Sequence, residues 1–202
     1  MIATVYGKTR ALLTGERVAL NFLSYLSAIA TNTHLFVKAV RPYKVIILDT
    51  RKTTPTLRYL ERLAVRVGGG ENHRLNLHAM AMVKDNHLVS CTPQRSIREI
   101  VYSLKQKMRK KVILEVTTLG QFQQALTAKV DIVLLDNMTP RQIHRAVVLR
   151  DKINPYVLLE ASGGITLRNV RQYARTGVNR ISIGALTHSR QAVDMSLEIC
   201  AS

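Results

Sequence analysis

The chain's 202 residues, 47% of them hydrophobic, can form one domain with its own core, so we interpret residues 1–202 as a single domain. Its two cysteines form no CxxC pair, which argues against structural zinc and favours the cytoplasm. No apolar run reaches the roughly 18 residues of a membrane span, which argues against a transmembrane protein. The formal charge of +17 predicts an anionic partner. Nucleic acid is disfavoured as that partner, because aromatic residues make up only 5% of the chain. The one dense basic block, 105–111, is interpreted as a solvated helix end.

Apolar periodicity predicts a helix over 15–30 followed by six strand-helix units. The predicted strands are 45–49, 78–85, 112–116, 131–136, 156–161 and 180–185. The predicted helices between and after them are 55–67, 94–109, 119–128, 139–152, 166–176 and 189–200. Strict alternation of this kind predicts a parallel sheet whose two faces are both covered.

Two parallel architectures fit this alternation, an α/β barrel and an open doubly wound sheet. Polar residues or glycine follow each predicted strand at or near its C-terminal end, and a barrel gathers such ends around one mouth, whereas an open sheet spreads them along a line. We therefore predict an α/β fold of the incomplete, open TIM-like barrel type, because six units fall short of eight.

Cationic side chains follow the first two predicted strands. Arg51 and Lys52 come after the first strand, His73 and Arg74 follow a glycine run at 68–70, and Lys84 ends the second strand. The arginine fork and the lysine ammonium both bind carboxylates and phosphates, so the group predicts an anion site. Alternatively, each cation is a solvated loop residue, but a shared position at strand ends favours the site.

Two carboxylates, Glu115 and Asp136, close the next two strands with apolar residues around them. Carboxylates at a barrel mouth can bind Mg²⁺, accept hydrogen bonds from sugar hydroxyls, or stabilise positive charge that develops on carbon. The alternative is a structural role, in which they pair with Lys84 or a nearby arginine. The functional interpretation is favoured because one ligand then explains both the cations and the acids.

Glycine-bearing turns end the last two predicted strands. Ser162, Gly163 and Gly164 lead into one helix, and Gly184 precedes His188 at the start of the next. Glycine lets backbone approach a ligand closely, and helix N-termini present free N–H groups to phosphate. Adjacent turns of this kind are a recurrent phosphate site in barrels.

In combination and in order, the strand-end motifs resemble those of the quinolinate phosphoribosyltransferase family, the carboxylating nicotinate-nucleotide pyrophosphorylases of NAD biosynthesis. They are DTRKT at 49–53, GGGENHRL at 68–75, KDNH at 84–87, LLDN at 134–137, EASGGIT at 160–166 and GALTHS at 184–189. The resemblance implies an incomplete α/β barrel. It also implies an enzyme that joins quinolinate to phosphoribosyl pyrophosphate with Mg²⁺ and releases pyrophosphate and CO₂.

The resemblance also implies a role for each predicted site residue. Arg51, His73, Arg74 and Lys84 would hold the quinolinate carboxylates, with Arg17 reaching in from the other subunit of a homodimer. Lys52 and His188 would contact phosphoribosyl pyrophosphate, Glu115 and Asp136 would face its ribose and the metal, and Ser162, Gly163, Gly164 and Gly184 would bind the 5′-phosphate. Lys52, Glu115 and Asp136 are the residues expected to assist catalysis.

The family also has an N-terminal domain that covers the partner's barrel mouth. Residues 1–14 are interpreted as a remnant of the junction with that domain, which is otherwise missing, and we expect weaker activity as a result. The alternative is an inactive barrel that serves as a phosphate-ligand binding or assembly module.

Overall fold

Six parallel strands form one sheet in the part of the chain that the computed structural model describes, residues 1–76, 78–84, 86–87, 90, 95–189 and 191–200. The strands are β1 (Ile46–Leu48), β2 (Ala81–Val83), β3 (Val112–Val116), β4 (Ile132–Asp136), β5 (Leu158–Ser162) and β6 (Arg180–Ser182). Their spatial order is β1-β6-β5-β4-β3-β2, and every neighbouring pair is parallel. This is the cyclic strand order of a barrel that is open between β1 and β2. In a doubly wound sheet the strand order would instead start in the middle of the sheet and reverse direction there, which these six strands do not do. The predicted incomplete α/β barrel is confirmed.

Helices connect the strands and cover the outside of the sheet. They are α1 (Thr9–Val40), α2 (Arg58–Val67), α3 (Ile97–Met108), α4 (Leu119–Thr127), α5 (Pro140–Ile153), α6 (Val170–Ala174) and α7 (Ala185–His188). The observed starts of α3 and α5 carry a signal in the sequence, because Ser96 with Glu99, and Thr139 with Gln142, each form a capping box. Within the described ranges, no helix combines the length and the hydropathy needed to cross a membrane.

Helix α1 is twice as long as the predicted helix 15–30. Its apolar stripe continues through Phe36 to Val40, and the helix meets no proline before Pro42, which disfavours helical backbone at the residue ahead of it. The C-terminal half of α1 is the buried half, with Ala28 and Ile29 packed in the core, whereas most of the N-terminal half is exposed. The prediction found the helix and missed its extent.

The predicted helix over 189–200 is wrong for its described part, 191–200, which contains no helix. Apolar residues in this segment alternate with polar ones, and Val193, Met195 and Leu197 are half-buried between exposed neighbours. The Ser24 hydroxyl of α1 donates to the Val193 carbonyl. A period of two is typical of extended chain, so the correct signal was present in the sequence.

The sheet has two apolar faces of unequal size. The outer face packs Leu114, Val133, Leu135 and Leu159 against the helices in one continuous core. The inner face carries a small cluster of Ile113, Ile132 and Leu134 with Met80 and Met82 packed against it. Because successive side chains alternate between faces, the polar side chains that share the inner face are directed to the interior of the barrel.

Candidate active site

One cavity of about 700 Å³ lies at the C-terminal ends of the strands, and residues that end or follow all six strands line it. Its lining includes every predicted site residue except Arg17, namely Arg51, Lys52, His73, Arg74, Lys84, Glu115, Asp136, Ser162, Gly163, Gly164, Gly184 and His188. Arg17 is exposed on α1 and is not part of this lining. Residues scattered over more than 130 positions of sequence therefore meet at the predicted barrel mouth. Asp85, in the KDNH motif, lies outside the described residues.

Asp49, the residue after β1, binds the segment that carries His73 through buried hydrogen bonds. Its carboxylate is fully buried and accepts hydrogen bonds from the His73 N–H at 2.6 Å and from the Asn72 amide at 2.7 Å. Arg62 lies 3.6 Å from the same carboxylate. Burial raises the pKa of Asp49, although these hydrogen bonds and Arg62 act in the opposite direction. Asp49 thus orders the segment that carries His73 and Arg74 and is not presented to the cavity.

Arg51 and Lys52 follow Asp49 on an exposed stretch of the rim. Among the described residues, neither side chain has a hydrogen-bond or ion-pair partner. Their backbone is nonetheless fixed, because the buried Thr187 hydroxyl of α7 donates to the Lys52 carbonyl at 2.6 Å. The backbone of Arg51 and Lys52 is therefore ordered while their cationic side chains have no partner among the described residues. This arrangement is expected of a site that binds an anionic ligand.

Arg74 lies deeper, with its guanidinium bonded to the Met80 carbonyl at 3.1 Å and against the Met82 sulfur. Its Nε atom is buried and has no partner among the described residues. Burial lowers the pKa of Arg74, and the neighbouring positive charge of Arg51 lowers it further. Two guanidinium groups that repel each other favour the binding of an anion, which offsets their repulsion.

The two predicted carboxylates, Glu115 and Asp136, lie at the C-terminal ends of β3 and β4. Lys84 Nζ lies 2.8 Å from Glu115 Oε2, and Asn137 donates to Asp136 Oδ2 at 2.8 Å. The Lys84 side chain is 45% exposed, so this pair is open to solvent and to exchange of partners. Within the described part of the chain no three His, Cys, Asp or Glu residues form a metal cluster. Mg²⁺ commonly takes one or two protein carboxylates and completes its shell with water and substrate phosphate, and Glu115 and Asp136 are the two carboxylates that line this cavity.

The glycine turn after β5 cannot carry a side chain at its first glycine. Gly163 has φ +94°, and a Cβ there would lie 2.1 Å from Asn137 Oδ1 and 2.9 Å from the Asn137 backbone nitrogen. The Asn137 N–H in turn donates to the Ser162 carbonyl at 2.8 Å. The ends of β4 and β5 are therefore in contact at this turn, and bare backbone faces the cavity.

At the end of β6, His188 folds back towards Gly184. A Cβ on Gly184 would lie 2.9 Å from His188 Nε2 and 3.3 Å from Lys52 Cδ. The other ring nitrogen, Nδ1, is 2.7 Å from the Ser189 hydroxyl. The geometry brings Lys52 and His188, which are 136 positions apart in the sequence, to one glycine.

Comparison with known proteins identifies the family. Residues 29–198 match the C-terminal domain of quinolinate phosphoribosyl transferase. The chain belongs to the quinolinate phosphoribosyl transferase family. The resemblance predicted from the strand-end motifs is confirmed.

Relatives and solved structures agree with this assignment. The chain is 43% identical over 201 residues to a probable nicotinate-nucleotide pyrophosphorylase [carboxylating] of Synechocystis, covering 98% of this chain and 67% of the relative. It is equally similar to the Mycobacterium leprae nicotinate-nucleotide pyrophosphorylase, with coverage of 98% and 69%. The structure of the Francisella tularensis nicotinate-nucleotide pyrophosphorylase superposes with a TM-score of 0.87 at 42% identity, covering 93% of this chain and 65% of that one. The chain thus spans about two thirds of the length of the relatives it matches.

Sequence reasoning missed several residues that line this transferase-family cavity. Met82 and Leu134 contribute apolar surface, and Asn137 and Ser182 contribute polar groups. Met82 and Leu134 face inwards two residues before Lys84 and Asp136, so the period of two along a strand would have found them. Ser182, whose hydroxyl is buried without a partner in the described chain, gave no comparable signal.

Proposed function

We propose that the protein is a quinolinate phosphoribosyltransferase that converts quinolinate and phosphoribosyl pyrophosphate to nicotinate mononucleotide, pyrophosphate and CO₂ in NAD biosynthesis. The observation that carries the proposal is the convergence of four arginines and lysines, two carboxylates and two glycine turns on one cavity, in a chain of this family. Two small anionic substrates and the absence of a disulfide pattern in the sequence favour a cytoplasmic enzyme.

Quinolinate, a dicarboxylate, would bind on the side of the cavity formed by Arg51, His73, Arg74 and Lys84. Arg74 provides a preformed fork next to Met82, so that an aromatic ring could lie against apolar surface while its carboxylates meet the cations. Arg51 supplies a further charge from the rim. Pairing with the ligand would offset the repulsion between the two guanidinium groups.

Phosphoribosyl pyrophosphate would bind on the other side of the cavity. The bare backbone at Ser162, Gly163, Gly164 and Gly184 suits its 5′-phosphate, because amide groups can approach the oxygens closely. Lys52 and His188, which meet at Gly184, would contact the pyrophosphate. Lys52 is adjacent to Arg51 in sequence, so the two anionic substrates would lie side by side.

Glu115 and Asp136 would hold Mg²⁺ together with the ribose of phosphoribosyl pyrophosphate. When bound, the metal would neutralise charge on the departing pyrophosphate. Breaking the bond between ribose C1 and pyrophosphate leaves positive charge on the sugar, and these two carboxylates would stabilise it.

The pyridine nitrogen of quinolinate then attacks C1 and becomes positively charged. That charge draws the electron pair of the adjacent carbon–carboxylate bond onto the ring carbon as CO₂ leaves, and this carbon then takes up a proton from solvent. No side chain needs to form a covalent bond, and the residues of the cavity act by positioning and by charge.

The direct test is a single-turnover assay of the purified chain with quinolinate, phosphoribosyl pyrophosphate and MgCl₂, with nicotinate mononucleotide measured by chromatography. We expect product, and less than 1% of it when quinolinate is replaced by nicotinate, because the second carboxylate is then missing (an estimate of roughly 3 kcal/mol for one charged pair). Calorimetric binding of phosphoribosyl pyrophosphate with no product at any enzyme concentration would instead support an inactive phosphate-binding barrel.

We further propose a homodimer in which Arg17 acts across the subunit interface. The N-terminal half of α1 exposes Leu13, Val18, Phe22 and Leu23 to solvent. Helix α2, which packs on α1, exposes Tyr59, Leu63 and Val67. Apolar side chains on two adjacent helices support burial by a second subunit. Arg17 is on this surface and outside the cavity of its own chain, which supports a role in the site of the other subunit.

A subunit-mixing experiment tests this arrangement. Arg17→Ala and Lys52→Ala chains are each expected to be inactive as homodimers. Mixed dimers would have one cavity with both native residues, so mixing should restore activity to about one quarter of wild type, the statistical share of such sites. No restoration in a preparation shown by light scattering to be dimeric would contradict a shared site, and a monomer would contradict the interface itself.

A further inference from the structure

Glu160 is a fully buried carboxylate directly beneath the cavity. It lies on β5 two residues before Ser162, and its register partners are Leu134 on β4 and Arg180 on β6. Neither of its carboxylate oxygens has a hydrogen-bond partner among the described residues. An unbonded buried carboxylate is costly, so its presence requires an explanation beyond packing.

Two side chains approach this carboxylate from the same interior. His73 Nε2 lies 3.1 Å from Oε1, and Arg180 lies 3.9 Å from Oε2. The His73 contact is within hydrogen-bond distance, although neither Glu160 oxygen has a hydrogen bond of good geometry among the described residues. His73 and Arg180 are therefore the side chains that approach the buried carboxylate.

Besides its contact with Glu160, His73 is held by three hydrogen bonds to other parts of the protein. Its N–H donates to Asp49, its carbonyl accepts from Arg62 at 2.8 Å, and its Nδ1 accepts from the Arg74 N–H at 2.8 Å. Because Nδ1 accepts this bond, the ring carries its hydrogen on Nε2, the atom that faces Glu160. The ring thus links the buried carboxylate to the backbone of Arg74.

We propose that Glu160 is a positioning residue for the carboxylate-binding side of the cavity. Its buried charge attracts the Nε2–H of His73, which fixes the opposite ring nitrogen against the Arg74 N–H and so orients the Arg74 side chain. This proposal depends on the proposed function only in taking quinolinate as the ligand of this side of the cavity. It also gives His73 a function through Arg74 that does not require contact with quinolinate.

The substitution Glu160→Gln tests the proposal because it keeps the shape of the side chain and removes its charge. By Coulomb's law alone, loss of a negative charge below an anion site should strengthen quinolinate binding. Loss of positioning should instead raise the KM for quinolinate about ten-fold, while the KM for phosphoribosyl pyrophosphate changes less than about two-fold. The two explanations therefore predict effects of opposite sign.

Asp131→Asn is the matched control, since it removes a carboxylate that lies at the other end of the barrel and is bonded to Val112 and Lys105. We expect it to leave both KM values within about two-fold of wild type. Tighter or unchanged quinolinate binding in Glu160→Gln would overturn the proposal. An equal loss for both substrates with a lower melting temperature would do so too, because it would indicate a structural role only.

A second readout does not depend on activity. In ¹⁵N spectra of the histidine rings, with the His73 signals assigned by their absence in His73→Gln, the wild type should show hydrogen on Nε2 of His73, and Glu160→Gln should shift these signals. Unchanged signals would overturn the proposal. If the wild type binds no quinolinate by calorimetry, the proposed function fails, and the ring signals still decide whether Glu160 positions His73.

Discussion

The two ends of the barrel use charged residues in opposite ways. At the N-terminal end, Arg150 donates to the Val157 carbonyl at 3.2 Å and to Asn179 at 2.9 Å, and Asp131 accepts from Lys105 and from the Val112 N–H. A cavity of about 410 Å³ is also present there, lined in part by Asp131, Asn154 and Tyr156. At the C-terminal end, several cations face a larger cavity with unused donors.

This difference separates structural charges from functional ones. A charged group that is bonded to backbone at a strand start stabilises the fold, and its removal leaves buried partners unpaired. A cation on ordered backbone with no protein partner contributes little to the fold and is available to a ligand. Asp49 shows that position alone does not decide, because it lies at the cavity end and yet all its contacts are internal.

The largest expected effect is on stability, at the N-terminal end. Arg150→Met should lower the free energy of unfolding by roughly 2–4 kcal/mol, because Val157 and Asn179 lose a buried donor. Urea unfolding followed by circular dichroism measures this loss. The activity of the molecules that remain folded should be unchanged. A lower kcat/KM with normal stability would contradict the division into structural charges at the N-terminal end and functional charges at the C-terminal end.

The next effect is on activity, at the C-terminal end. Arg51→Ala should lower kcat/KM for quinolinate about 100-fold, or about 2.7 kcal/mol, because a charged ligand contact is lost. Its melting temperature should stay within about 1 °C of wild type, since the side chain has no partner in the described structure. A lower melting temperature with normal kinetics would place Arg51 among the structural charges.

A smaller effect is expected at the glycine turn, where backbone serves both fold and site. Gly163→Ala should cost roughly 2 kcal/mol of stability, because the new Cβ would clash with Asn137 at a positive φ. Gly164→Ala is the control, with φ +61° and open space around a Cβ, and should cost about 1 kcal/mol. Equal losses in the two variants, measured by urea unfolding, would show that the contact with Asn137 is not limiting.

The smallest effect concerns the pH dependence of stability. Because burial raises the pKa of Asp49 in the folded state, folding binds a proton between the ordinary value near 4 and the raised folded pKa. The contribution of Asp49 is therefore largest below about pH 4 and falls as pH rises through the folded pKa. Asp49→Asn lacks this dependence, so the stability of wild type relative to the variant should fall over that window.

Urea unfolding of both proteins at half-unit steps from pH 4 to pH 7 measures the difference. Parallel curves would show that the hydrogen bonds to Asp49 and the charge of Arg62 balance the effect of burial. The partners lost or retained by the asparagine add a constant offset, which does not alter the slope.

Prediction from sequence succeeded where the signal was local. The strands β3 and β4 are continuous apolar runs, and they and α5 lie within one residue of their predicted bounds. The predicted start of α3 at residue 94 precedes the observed start at Ile97 by three residues, although the capping boxes at Ser96 and Thr139 mark both helix starts. The segment 191–200 failed because its period of two was read as helical. Helix α1 was cut short because its exposed and buried halves differ in pattern although the backbone is continuous.

The sequence by itself determined the α/β alternation, the family motifs and the types of residue at the strand ends, because periodicity and motif spacing are properties of neighbouring residues. Only the tertiary structure decided that the sheet opens between β1 and β2, that Asp49 and Glu160 are sequestered while Glu115 and Asp136 face the cavity, and that Arg17 lies outside it. Which side chains are buried and which meet at the cavity depends on the curvature of the sheet. That curvature results from contacts between residues that are far apart in the chain.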